Sequence, residues 1–410
     1  MVAAIGMDFL IPTRTARAGD DLIFALNTEA RARATAGEAI VNATVGALLD
    51  EEGKLAVLSG VAAALRELPV STGAGYAPIT GSAEFQRAVI DDLLGTRPAA
   101  DWAVAVATPG GSGALHLAVA DFLEPHQAAL TTSYYWGPYR TITDELDRSL
   151  STFRMFDERG RLDLADLERK LQASVDAQGR ALALLNSPCH NPTGYSFDDE
   201  EWRGLVDVIE RAAARAPITL LLDVAYSRYS ASTLDHALDH VLRLAGKAML
   251  LFAWSASKSF TQYGLRVGAL VAVHPDPDVR RRVRNALGYS CRGTWSNCNA
   301  AGLAAITHAL TDPELRARTD AERATLKALL DRRVARWNEL ASAAGLRYPR
   351  YDGGFFTTVF CDDAPAVAAR LKGKGLFVVP QVGALRVALC SVAERDIPRL
   401  VDGIAAQVGL

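Results

Sequence analysis

Six apolar runs punctuate the middle of the chain, at residues 103–107, 128–132, 181–185, 218–222, 249–253 and 269–273, and each is followed within two residues by serine, proline or an acid. Runs this short with no polar alternation are buried on both faces, the pattern of strands inside a parallel sheet covered by helices. Helical spacing fills the gaps, with Leu115, Val119 and Phe122 after the first run and Trp202, Leu205, Val208 and Ile209 after the third. Ser196 ahead of Asp199 reads as a capping box opening the latter helix. A longer apolar face carries Leu326, Leu329, Leu330, Val334, Trp337 and Leu340, closed by Gly345, and short strands follow near 355–360 and 385–388. The expected fold is α/β, a mostly parallel sheet sandwiched by helices, with a smaller α/β domain built from both termini. Its expected divisions are an N-terminal arm with part of the small domain at 1–54, the large domain at 55–312 and the rest of the small domain at 313–410.

Composition narrows the function classes. A chain of 410 residues, 50% hydrophobic, can bury one large core and a smaller one. The net charge of −3 argues against a nucleic-acid partner held through phosphates. The densest basic run, Arg280, Arg281, Arg282 and Arg284, fits a solvated helix face. Cys189, Cys291, Cys298, Cys361 and Cys390 show no metal-ligand spacing, so no metal is expected and reduced thiols in a cytoplasmic protein fit best. The first residues lack the apolar core of an export signal and no uncharged run reaches membrane-spanning length, so neither export nor membrane insertion is expected.

The chemistry-bearing residues gather where the apolar runs end. After 249–253 come Ser255, Ser257, Lys258 and Ser259, then Arg266: small hydroxylated neighbours around a lysine, with an arginine suited to fork onto a phosphate. A lysine near apolar groups and another cation has its amine pKa pushed down, which suits Schiff-base chemistry with a carbonyl cofactor. Taken alone, the turn is equally compatible with an ordinary surface lysine and arginine. After 103–107 the sequence Thr-Pro-Gly-Gly-Ser-Gly opens a helix, a strand–glycine turn–helix start that favours one phosphate and lacks both P-loop and dinucleotide spacing. Tyr134, Tyr135, Trp136 and Tyr139 follow 128–132, where packing is the plainer reading of an aromatic cluster. Asn191-Pro192-Thr193-Gly194 follows 181–185, and the proline forces Asn191 out of the helical region. Asp223 and Tyr226 end the run 218–222, and Arg386 sits among apolar neighbours where it requires a carboxylate partner. Gly46, inside the apolar stretch 40–53 read as extended, marks either a close backbone approach or a bend.

In order and spacing these motifs resemble the pyridoxal-phosphate aminotransferases of fold type I, the class of aspartate and aromatic aminotransferases, over most of the chain from Gly46 to Arg386. The resemblance implies that Lys258 carries pyridoxal 5′-phosphate, with Gly111, Ser112, Gly113, Ala114, Ser255 and Arg266 on its phosphate; a threonine is common where Ala114 stands. Trp136 would stack on the pyridine ring, Asn191 and Tyr226 would reach the phenolic oxygen and Asp223 the ring nitrogen. Tyr139 stands where many relatives have a histidine bonded to that aspartate. On the substrate side the implied residues are Gly46 and Arg386, the latter on the α-carboxylate. Tyr76 would reach the phosphate of a neighbouring subunit, Arg292 would cross to that subunit's substrate, and Trp295 would line the pocket, making a homodimer with composite sites. The implied activity is transfer of an amino group between an α-amino acid, dicarboxylic or aromatic, and a 2-oxo acid, with Lys258, Asp223 and Tyr226 catalytic. Same-fold enzymes that eliminate, oxidise or close rings share these cofactor residues. A non-catalytic binding domain of a transcription regulator is the other class to weigh, although no basic helix-turn-helix pattern precedes residue 40.

Overall fold

The apolar runs become strands of one seven-stranded sheet in the computed structural model, which describes residues 9–408 apart from 16, 18, 20, 232 and 233. In chain order the strands are β1 (Val41–Asn42), β2 (Ala103–Pro109), β3 (Ala128–Thr132), β4 (Ser149–Phe153), β5 (Ala181–Asn186), β6 (Ile218–Asp223), β7 (Met249–Ser255), β8 (Val267–Val273), β9 (Thr357–Phe360), β10 (Leu376–Phe377), β11 (Val379–Gln381) and β12 (Ala384–Val387). The large sheet runs β2-β8-β7-β6-β5-β3-β4. Strands β4, β3, β5, β6 and β7 are parallel neighbours. Both faces are covered, as the unbroken apolar runs require: in β5, Ala181, Ala183 and Leu185 pack into one helical layer and Leu182 and Leu184 into the other.

One strand departs from the parallel expectation. β8 is antiparallel to both β7 and β2. The connection 256–266 is shorter than the crossover of roughly a dozen residues that a parallel return needs, so the chain doubles back.

A second core unites the two ends of the sequence. β1 pairs in parallel with β10, while β11, β12 and β9 form an antiparallel sheet. Leu330, Val334 and Trp337 of the long helix Pro313–Ala343 pack there with Phe355, Leu385 and Leu400. That helix begins earlier than its apolar face suggested, because Asp312 caps it by accepting from Leu315 N–H at 2.8 Å. The capping box of helix Asp199–Ala213 also differs from expectation: Asp198 and Glu201 form it, and Ser196 Oγ instead accepts from Cys189 N–H at 3.0 Å. Of the stretch 40–53, only Val41–Asn42 is a named strand; the rest is loop with a bridge between Leu49 and Leu55. Arg281, Arg282 and Arg284 lie exposed on helix Pro277–Thr294. Among the described residues no helix is long and apolar enough to cross a membrane.

Candidate active site

A cavity of about 440 Å³ opens at the carboxyl ends of β5, β6 and β7 and is closed over by Val45, Gly46, Ala47, Phe356 and Arg386 from the second core's side. At one end Gly111 and Ser112 form the first turn of helix Gly110–Phe122, facing Ser255, Ser257 and Arg266. Free backbone N–H groups and the helix dipole make this an anion seat. Arg266 is held in a left-handed backbone conformation, φ +54°, and donates to Ser257 Oγ at 3.1 Å and to Tyr263 O at 2.9 Å. Gly110 opposite it has φ +73°, a conformation that favours glycine, and a Cβ there would stand 2.4 Å from Arg266 Nη2.

The middle of the cavity holds Trp136, Asn191, Asp223 and Tyr226. Asn191 Nδ2 donates to the Tyr226 hydroxyl at 3.2 Å, while Asn191 Oδ1 is buried without a partner among the described residues. Asp223 is 6% exposed; its Oδ2 accepts from Tyr139 Oη at 2.8 Å and its Oδ1 from Ala225 N–H at 3.1 Å. Burial raises its pKa above the ordinary carboxylate value, opposed by those two donors and by Lys258.

Lys258 projects into the same space, its Nζ donating to Gly46 O at 2.6 Å and lying 4.4 Å from the centre of the Tyr263 ring. Desolvation, helped by Arg266 and Arg386, brings the amine down to about 8. Gly46 is a place of close approach rather than a simple bend: a Cβ there would come within 2.4 Å of Phe356 Cζ. Arg386 is buried, 4.7 Å above the Phe356 ring, donates one Nη2 bond to Thr44 O, and has no Nε partner among the described residues.

Most of the expected site residues therefore meet in one cavity, and a few do not. Gly113 and Ala114 turn away from it: Gly113 packs on Pro109, and Ala114 is buried in the core with Leu117 and Ala118. On a helix, residues 111, 112 and 115 share the cavity-facing side and 113 and 114 do not. The threonine-less position 114 thus costs the cavity no hydroxyl, because Ser112, Ser255 and Ser257 line it. Tyr76 is 94% exposed and lines a separate groove with Ala300, Leu303 and Thr307. Arg292 is exposed and donates to Ser296 Oγ at 2.5 Å. Trp295 is half-buried, edge-on to His116 at 6.1 Å, outside the cavity.

Sequence reasoning missed several lining residues. Asp21, Ile23 and Phe24 reach the mouth from helix Leu22–Thr35. That helix fully buries only Ala30, which leaves no apolar stripe to read; an aspartate just ahead of the helix was the available signal, and Asp21 does cap it. Tyr263 and Phe356 were hidden among other aromatics.

The donor set fits pyridoxal 5′-phosphate. An anion seat stands at one end of the cavity, a buried carboxylate and an amide oxygen without a partner among the described residues in its middle, and a lysine amine of depressed pKa within reach. Fold and site together define an α/β enzyme with a lysine amine inside its cavity. The chain belongs to the aminotransferase class I and II family, whose model matches residues 38–404, and it is a transaminase. An aspartate aminotransferase of Pseudomonas aeruginosa is 30% identical over 80% of this chain and 82% of its own length. The crystal structure of an aminotransferase from Anaerococcus prevotii superposes with a TM-score of 0.92 at 32% identity, covering 98% of this chain and all of that one (100%). The aromatic-amino-acid aminotransferase of Burkholderia pseudomallei, solved covalently bound to pyridoxal phosphate, matches with a TM-score of 0.80 at 26% identity over 97% of this chain and 100% of its own.

Proposed function

We propose that this enzyme moves an amino group between a dicarboxylic or aromatic α-amino acid and a 2-oxo acid, with pyridoxal 5′-phosphate held between Arg266 and Asp223. The observation that carries the reading is the amine of Lys258, brought to about 8 within the cavity that Asp223, Asn191, Tyr226 and Arg386 line. When bound, the cofactor supplies an electron sink for breaking a bond at the carbon beside an amino group. The chain's residues do the rest. Arg386 forks onto the substrate α-carboxylate, for which its Nε has no other partner among the described residues. Lys258 Nζ takes the α-proton and returns one as general base and acid, and Gly46 O receives the amine when it is free. Asp223 holds a proton on the ring nitrogen, and Asn191 and Tyr226 donate to the phenolic oxygen. Gly111, Ser112, Ser255 and Arg266 take the phosphate.

Tyr76 and Arg292 serve the neighbouring copy's site in this reading, with Trp295 lining the substrate pocket, which makes the working unit a homodimer. The exposure of Tyr76 and Arg292 supports it. The division into 1–54, 55–312 and 313–410 is supported by the separate cores and by β1 joining β10. The cysteines are unpaired and buried, which supports a reducing, cytoplasmic setting.

Purified holoenzyme, given phenylalanine or aspartate and a 2-oxo acid, should convert the oxo acid to its amino acid mole for mole. Ammonia release without an acceptor would replace this reading with a lyase.

A further inference from the structure

We propose that Arg323, on the long helix Pro313–Ala343, is a positioning residue for Lys258: it grips the main chain just past the lysine and so fixes where the amine stands. The proposal rests on the reading of Lys258 as the group that carries the cofactor.

Lys258 lies in a single helical turn, Ala256–Ser259. A turn this short leaves the carbonyls at its end without helical partners. Side chains from elsewhere take them: Lys258 O accepts from Tyr229 Oη at 3.2 Å, and Ser259 O accepts from Arg323 Nε at 2.6 Å. The Arg323 guanidinium also lies 4.8 Å from the centre of the Phe260 ring, and Ser257 Oγ accepts from Arg266. Every residue from 257 to 260 thus meets a side chain from outside the turn, and the freedom that remains is that of the Lys258 side chain.

Arg323 is itself braced. It is 6% exposed, and its Nη1 donates to Asp320 Oδ1 at 2.6 Å. Asp320 Oδ2 accepts from Arg316 Nε at 2.9 Å, and Arg316 Nη2 lies 3.1 Å from Asp92 Oδ1. The buried Asp92 carboxylate accepts in turn from Arg228 Nη2 at 2.6 Å and Trp254 Nε1 at 3.0 Å, which anchors this chain of charges on the loop after β6 and on the end of β7. Burial and Arg228 draw the Arg323 pKa down while Asp92 and Asp320 oppose them; a guanidinium still keeps its charge across the working range. Tyr229 is a phenol that burial keeps neutral. The charges acting on the amine are those of Arg266, Arg386 and Asp223, with Cys390 beside them; Arg323 works on it through the main chain.

The same helix reaches the other wall of the cavity. About 15 Å of helical rise further on, Arg333 is fully buried and donates to Cys390 O and Leu49 O, each at 2.9 Å. Leu49 belongs to the loop of Gly46, whose carbonyl receives Lys258 Nζ at 2.6 Å. One rigid element therefore sets both ends of that contact, the lysine turn through Arg323 and the Gly46 loop through Arg333.

The test uses five holoenzymes: wild type, Arg323→Met, Arg323→Lys, Arg316→Met and Lys258→Ala. Methionine keeps an unbranched apolar stem over Phe260 and removes the donor. Arg316→Met breaks the same chain of charges without touching the lysine turn. The readouts are the pH titration of the bound cofactor's visible absorption, kcat and KM for the 2-oxo acid, and the thermal midpoint. With the turn released in Arg323→Met, the lysine nitrogen moves toward water and away from Arg266 and Arg386, so its proton affinity rises and the titration should move up by about one pH unit. Its kcat should fall about tenfold or more, with KM nearly unchanged. Arg316→Met should lower the midpoint and keep the wild-type titration and kcat. Arg323→Lys keeps the charge without the fork between Ser259 O and Asp320, so it should fall between wild type and Arg323→Met. It also carries the test if the methionine variant does not fold: wild-type titration and kcat in Arg323→Lys would then overturn the proposal. If Arg323→Met and Arg316→Met lower the midpoint alike and neither moves the titration, Arg323 only stabilises the fold and the proposal fails. If both move the titration equally, the effect belongs to the chain of charges and the proposal fails as well. If Lys258→Ala keeps the wild-type titration, the underlying reading of Lys258 fails instead.

Discussion

Lys258 is exceptional among the lysines because of what surrounds its amine. It is drawn away from water beneath the Tyr263 ring and Gly46 O and shares the cavity with two guanidinium groups. A group with a depressed pKa is neutral over a wider range, and the neutral amine is the nucleophile. Apoprotein should therefore capture the cofactor's aldehyde at a rate that climbs with pH to about 8 and then levels, whereas an ordinary lysine would go on climbing toward 10.5. Stopped-flow absorbance across that range checks it; a rate still rising steeply above 9 would place the amine in an ordinary environment. The Lys258→Ala variant should bind the cofactor through the phosphate end and show no multiple turnover with any amino donor.

At the scale of an element, β8 does more than complete a sheet. It leaves the Arg266 turn and runs antiparallel beside β2, which bring Gly268 against Gly110 at the mouth of the anion seat. A Cβ on Gly268 would stand 2.4 Å from the Gly110 carbonyl carbon, and backbone cannot swing aside as a side-chain tip can. Overpacking of this kind costs about 1–3 kcal/mol. Gly268→Ala should lower the thermal midpoint and, by pushing the start of helix Gly110–Phe122 away from Arg266, weaken cofactor binding about tenfold or more. Equilibrium dialysis against the cofactor measures it. Gly373→Ala, where nothing lies within 4 Å, is the control and should change neither quantity. Equal affinities for Gly268→Ala and wild type would mean that strand and helix start are not coupled.

At the scale of the whole molecule, the cavity draws on both cores, while Tyr76 and Arg292 stand outside it on the surface. If they complete a neighbouring copy's site, two lesions on different chains should complement. Lys258→Ala and Arg292→Ala enzymes, each inactive toward aspartate, should on mixing and exchange give heterodimers with one intact site, roughly a quarter of all sites. Lys258→Ala mixed with Arg386→Ala should give the same recovery only if those two groups served different sites; both line one chain's cavity, so each heterodimer site keeps one lesion and no recovery is expected. Activity toward aspartate in the two mixtures is the measurement, and silence in both would count against a composite site.

Much of this site was legible one run at a time. Asp223, Ser255, Asn191 and Arg386 lie in or just beyond strands whose burial is written in their own apolar residues, and the glycine-rich turn announces the helix start that opens on the cavity. Hydropathy period reports how deeply a residue is buried and on which element it sits. It carries no record of which distant group that residue meets. The bond from Tyr139 to Asp223 spans 84 positions and that from Lys258 to Gly46 spans 212, and both exist because separate elements pack against one another. Packing likewise turned Ala114 into the core, brought Phe24 to the cavity mouth and set Arg292 and Tyr76 on the surface. Chain order and residue type were sufficient for the α/β sheet and the lysine turn; the return direction of β8 and the partners of Asp223 arose only when strands, helices and the 41–47 segment competed for the same volume.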